Sequence, residues 1–194
     1  MAERDTFIRS LHDLGMAAWF GGSLMGAVGV NGAAAAAKDP TERARLSSIG
    51  WGKWVPVQVA AVGAHAVGGI GLMISNKRRL AAQPGAGSVT AVKLVLTGVA
   101  AGVTAYSGVL GSRVAKHADE GAKGATEPGP TSSPELAKAQ SQLKACQWAI
   151  PALTGVLMVL GVVEGEQQRG AAGLLDLGSD EALHGVKQAI RKVL

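Results

Sequence analysis

The sequence predicts an all-α membrane protein: a bundle of four membrane-crossing helices that extend beyond the bilayer, followed by a short amphipathic helix. Three observations carry that reading. Residues 14–37, 55–75, 88–111 and 145–163 form stretches almost free of charge. Each approaches or exceeds the roughly 20 apolar residues that a hydrocarbon core of about 30 Å requires. Charged residues make up only 17% of the chain, against about a quarter in a water-soluble domain. The 28 glycines point the same way, because small residues let helix backbones approach closely in lipid.

The bundle takes residues 1–168, and residues 169–194 form a polar tail. The formal charge of +5 does not indicate nucleic acid: the basic residues flank the apolar stretches in short clusters, without interleaved aromatics, as expected beside anionic lipid headgroups. A single cysteine, Cys146, excludes an internal disulfide, and no Cys/His spacing marks a zinc site.

The first span opens after Arg9, His12 and Asp13 and ends in a run of alanines. That run resembles a signal-peptide cleavage site, but Glu3, Asp5 and Asp13 beside the arginines favour an uncleaved span. Asp39-Pro40 is a helix start, with aspartate as the cap and proline at the first helical position. The helix is expected to continue through Arg43, Arg45 and Lys53 into the second span, with Pro56 bending it. Gln83-Pro84-Gly85-Ala86-Gly87 breaks the chain before Ser88, the expected cap of the third helix, which runs past Gly111 to Lys116 and Glu120. The turn formers between Glu127 and Glu135 make a loop, and Ser133-Pro134-Glu135 opens a fourth helix, with Pro151 bending it.

Beyond Glu164 the tail is polar as far as Ser179. From there Leu183, Val186, Ile190 and Val193 fall on one stripe, with Lys187, Arg191 and Lys192 off it. This is the pattern of a helix lying in the membrane interface, or of one packed on the bundle's own loops. The compact, acid-free cluster Lys77-Arg78-Arg79 places both termini on the cytoplasmic side of a plasma (inner) membrane.

Several residues at membrane depth are candidates for function. Lys93, early in the third span, and Glu164, at the end of the fourth, fall near one face, with His12 and Asp13 close by. The two either pair or are separately solvated, Lys93 by reaching towards headgroups. His65 lies near the middle of the second span, where it either ligates a metal, relays protons or bonds across helices. His12 and His65 are the metal candidates, but their depths differ, so haem held by two histidines is not expected. Asn31 and Gln58, with Gln147 near the surface, either line a polar cavity in the other half of the bilayer or bond between helices. Gly22/Gly26, Gly98/Gly102 and Gly161/Gly165 are spaced for helix packing, and Trp19, Trp51, Trp54 and Trp148 read as interfacial anchors.

The run His12-Asp13-Leu14-Gly15-Met16-Ala17-Ala18-Trp19-Phe20-Gly21-Gly22, with Lys93 early in the third span and Arg113 at its basic end, resembles two small four-helix membrane families. These are the copper-resistance D-like proteins and the DUF4149 group related to transmembrane protein 205. The resemblance implies copper handling or an uncharacterised membrane role. Met16, Met25, Met73 and Met158 are scattered along the chain, without a copper-type cluster in sequence. The residues contain no catalytic constellation. They point first to a non-enzymatic accessory or assembly subunit that meets a partner membrane protein, or a second copy of itself, through its helices. The alternative is a small transporter, or a metal- or small-molecule-binding protein, using polar residues inside the bundle.

Overall fold

The computed structural model describes residues 6–77 and 86–167. The expected tail helix, Arg78, Arg79 and most of the break before Ser88 lie outside the described residues. Helix α1 (Thr6–Met25) passes into a five-residue π-helical segment, Gly26–Val30, and then a short helix α2 (Asn31–Ala35). The long helices α3 (Pro40–Ser75), α4 (Ala86–Lys116) and α5 (Pro134–Gln167) follow. Between α4 and α5 lie a 3₁₀ turn, Ala118–Glu120, and two short antiparallel strands, β1 (Ala122–Gly124) and β2 (Glu127–Pro128). The segment read as a plain loop thus contains a small hairpin.

Among the described residues, three helices, Pro40–Ser75, Ser88–Lys116 and Pro134–Gly165, are long and apolar enough to cross a membrane. Their outward faces carry large exposed apolar side chains such as Val59, Val95 and Val162. The first expected span is not among the three. Helix α1 contains Arg9, His12 and Asp13 in its early turns, and the π-helical segment interrupts the α-helical ladder after Met25.

Two helix starts follow local chemistry. The Asp39 carboxylate accepts the Thr41 backbone N–H at 2.9 Å with Pro40 at the first helical position, so its pKa is held below the usual value by that bond. Ser133 Oγ accepts the Leu136 N–H at 3.2 Å and so caps α5. Helix α4 instead begins at Ala86, two residues before the expected Ser88 cap.

Helices α1 and α3 run antiparallel and approach through two glycines. A Cβ on Gly15 would lie 2.6 Å from the Ala61 carbonyl and the His65 nitrogen, and one on Gly68 would lie 2.5 Å from the His12 nitrogen. Both obstacles are backbone, which cannot swing aside. Gly22 and Gly26 make a different contact, giving room to the indole rings of Trp54 and Trp51. Both tryptophans, read as interfacial anchors, are half-buried with their rings in glycine notches between helices. The interfacial-anchor reading fails for Trp19, which is 0% exposed and donates its indole N–H to Thr104 Oγ1 at 3.1 Å. Trp148 is about half exposed. Gly102 and Gly165 meet nothing within 4 Å among the described residues, so close packing between those residues does not explain them.

Beyond this core, Leu110 and Val114 of α4 pack on Leu136, Ala139 and Leu143 of α5. The hairpin is fastened at this end. Arg43 donates to the carbonyls of Ala37, Lys38, Ala122 and Lys123, and Gln140 Nε2 donates to those of Gly124 and Ala125. Gly121, at φ 77°, makes the left-handed turn into β1. The Glu120 carboxylate accepts the Ser133 N–H at 2.6 Å and lies 2.6 Å from His117 Nδ1. Its pKa is depressed, chiefly by the Ser133 N–H.

Two predictions follow from these contacts. Gly15→Val or Gly68→Val costs about 1–3 kcal/mol by overpacking, whereas Gly102→Ala is close to neutral. Thermal unfolding in detergent measures both, and equal midpoints for Gly68→Val and Gly102→Ala contradict the close approach. The second prediction concerns Glu120. A carboxylate whose folded pKa is depressed stabilises above its unfolded pKa, and loses that contribution as pH falls through the folded value. Protection of the Ser133 amide from hydrogen exchange is therefore expected to persist at neutral pH and to drop below the usual carboxylate range. Unchanged protection in acid, or in Glu120→Gln, contradicts this.

Candidate functional site

The four long helical stretches leave a cavity of about 660 Å³ where the start of α1, the end of α3, the start of α4 and the end of α5 meet. Helix α1 contributes Arg9, His12, Asp13 and Met16, and α3 contributes His65, Gly69 and Met73, with Asn76 capping its end. Helix α4 supplies Thr90, Lys93, Thr97 and Gly98, while Leu157, Met158, Gly161 and Glu164 come from α5. The volume lies in the range of ordinary ligand sites, and the lining is mostly apolar with a few polar groups, as such sites are built.

One wall is a histidine pair. The rings of His12 and His65 stack with centroids 3.9 Å apart and planes 23° from parallel. His12 Nδ1 lies 2.9 Å from the His65 carbonyl oxygen, and His65 Nδ1 lies 3.1 Å from that of His12. A main-chain carbonyl only accepts, so each Nδ1 carries the hydrogen and donates it. In the neutral ring Nε2 is then a bare lone pair. Each histidine is followed three residues later by the glycine that admits the other helix, His12 by Gly15 and His65 by Gly68. The two H-x-x-G units thus clasp one another reciprocally. Trp19 meets the His65 ring edge-on, at 6.2 Å between centroids, and His65 is only 4% exposed.

The facing wall is an ion pair. Lys93 Nζ donates to Glu164 Oε2 at 2.7 Å, and Thr90 Oγ1 donates to Glu164 Oε1 at 3.3 Å. The lysine and glutamate side chains are 18% and 16% exposed, and this partial burial strengthens the attraction relative to a surface pair.

The sequence-derived candidates fall into three places. His12, His65, Lys93, Glu164, Gly98 and Gly161 all line this one cavity. Asn31 and Gln58 do not, and of the two readings offered for them the contacts of Asn31 match bonding between helices. Asn31 is engaged on every side: its Oδ1 accepts from Ser47 Oγ and Trp51 Nε1, and its Nδ2 donates to Gln147 Oε1 at 2.7 Å. It follows the π-helical segment directly, where its N–H bonds back five residues to Gly26, and it ties the first helix to α3 and α5. Gln58 is buried. Gly22 and Gly26 seat tryptophan rings, and Gly102 and Gly165 face open space.

Sequence reasoning missed Gly15, Gly68 and Thr90. The repeated H-x-x-G spacing was the available signal for the two glycines. It also treated the methionines as scattered, whereas Met16, Met73 and Met158 line the cavity with both histidines. Among the described residues, no three His, Cys, Asp or Glu side chains gather as a metal site. Comparison with protein-family models, with curated proteins and with solved structures finds no match.

The ion pair makes a definite prediction. Lys93→Met leaves the Glu164 carboxylate without its cation and is expected to cost about 1–3 kcal/mol. The double variant Lys93→Met, Glu164→Leu recovers most of that loss, because no charge then remains unpaired. Unfolding midpoints in lipid nanodiscs read this directly. A double variant no more stable than Lys93→Met contradicts the coupling.

Proposed function

We propose that this chain is an integral membrane protein whose four helical stretches all cross the bilayer, and that it binds a small molecule in the cavity between them. One observation carries the reading: a cavity of about 660 Å³ has the His12–His65 pair on one wall and the Lys93–Glu164 pair on another. Ionisable groups at membrane depth are costly and mark functional sites, and here four of them converge on one space. The placement in a plasma membrane with cytoplasmic termini belongs to the same proposal and rests on the Lys77-Arg78-Arg79 cluster. The role is one of binding or transport rather than catalysis.

The resemblance to copper-resistance D-like proteins suggests a soft metal ion as another occupant. Three thioethers and two imidazoles lining the cavity support it, since such donors suit copper(I). A second reading, an accessory subunit that meets a partner helix, is favoured by the open glycine faces at Gly102 and Gly165.

Filling the cavity tests the leading reading. Gly98 and Gly161 line it, and a Cβ on either meets nothing within 4 Å, so Gly98→Leu with Gly161→Leu occupies the space without forcing the backbone. Native mass spectrometry of protein drawn from its own membrane in mild detergent is expected to show a retained small molecule or metal ion. The filled variant should lose it. Retention by both forms, or by neither, contradicts the binding role.

A further inference from the structure

The acceptor atoms of the cavity point to the chemistry of its occupant. At three residues lining it, a side-chain donor is already committed to a main-chain carbonyl. His12 Nδ1 donates to His65, His65 Nδ1 to His12, and Asn76 Nδ2 to Leu72 at 2.8 Å. What remains on these side chains is mainly acceptor capacity, the two Nε2 lone pairs and the Asn76 carbonyl oxygen. Neither histidine Nε2 has a hydrogen-bond partner among the described residues. Among the described residues lining the cavity the charges balance, Arg9 and Lys93 against Asp13 and Glu164, and Lys93 is already paired. This lining therefore offers no net charge to an ionic head. The rest of the lining is mostly apolar, including Met16, Leu94, Leu157 and Met158, with the hydroxyls of Thr90 and Thr97 as its other polar groups. Ile70 and Leu94 on the cavity's edge are also more than half exposed, so an apolar body can enter from apolar surroundings.

We infer that the cavity takes a neutral amphiphile whose head donates hydrogen bonds through a hydroxyl, with His12, His65 and Asn76 as the receiving groups and an alkyl or prenyl body along α4 and α5. This rests on the binding role proposed above and specifies the class of ligand. An acceptor-only head, such as an ether or a ketone, would leave those lone pairs unsatisfied, and the loss of a buried hydrogen bond weakens binding steeply.

The test compares 4-nonylphenol with 4-nonylanisole, which share a body and differ only in the hydroxyl hydrogen and its methyl replacement. Saturable binding of each to the full chain in lipid nanodiscs is measured, with the Gly98→Leu, Gly161→Leu chain as background. The phenol is expected to bind at least about fivefold more tightly, the discrimination that one buried hydrogen bond of average strength provides. His12→Phe, which keeps a stacking ring but removes the acceptor, should lower that preference severalfold without weakening the ether. The wild-type comparison decides even if this variant does not fold. Equal affinities, or a tighter ether, with binding abolished in the filled chain, overturn the hydroxyl inference and leave the cavity's binding role standing. Binding of both compounds that the filled chain fails to reduce overturns the binding role itself.

Discussion

The reciprocal clasp between His12 and His65 sets the geometry of everything around the cavity. Each imidazole donates to the other's main-chain carbonyl, which requires two helix backbones to lie unusually close. Gly15 and Gly68 make that possible, because any side chain there would strike backbone. The stacked rings gain dispersion energy, and their positions are fixed from both helices at once. Trp19 then closes over His65 and reaches across to Thr104 on α4. Helix α5 joins through Asn31 and Gln147. The other pair, α4 and α5, is held by its own apolar cluster and by Lys93–Glu164. The cavity is the space left where these two pairs of helices meet without filling the gap.

Main-chain groups hold polar side chains at both ends of the molecule. At the cavity end the histidines and Asn76 bond to main-chain carbonyls, and Lys93 pairs directly with Glu164. At the other end Arg43 gathers four carbonyls, Glu120 holds the Ser133 amide, and Gln140 reaches two carbonyls of the hairpin. The hairpin is thus tied to the starts of α3 and α5, at the opposite end from the cavity.

The long apolar helices were legible because length and charge-free composition report directly on α3, α4 and α5. The Asp39 and Ser133 caps were legible for the same local reason, being decided by neighbours in sequence. Lys93 and Glu164 stood out as costly charges, although composition alone did not say whether they paired or were solvated. Three-dimensional convergence was not legible. The small-residue spacing at Gly22 and Gly26 suggested backbone contact, but the space is taken by tryptophan rings. Asn31 and Gln58 were read as a pair by depth, yet depth says nothing about which side of a helix faces inward. The π-helical segment just before Asn31 alters that facing, and no residue type announces it. His12 and His65 were read as lying at different depths, so that haem held between them was not expected. They meet because Gly15 and Gly68 bring the helices together where the two residues pass.

The central claim is that both histidines hold their hydrogen on Nδ1 and keep Nε2 bare, since the clasp and the acceptor character of the cavity depend on it. Nitrogen-15 NMR of the full chain in nanodiscs, with labelled histidine and His12 and His65 assigned by substitution, measures this. The account predicts that at neutral pH both rings show a protonated, pyrrole-type Nδ1 and an unprotonated, pyridine-type Nε2. A ring with its hydrogen on Nε2 at either position would contradict the clasp.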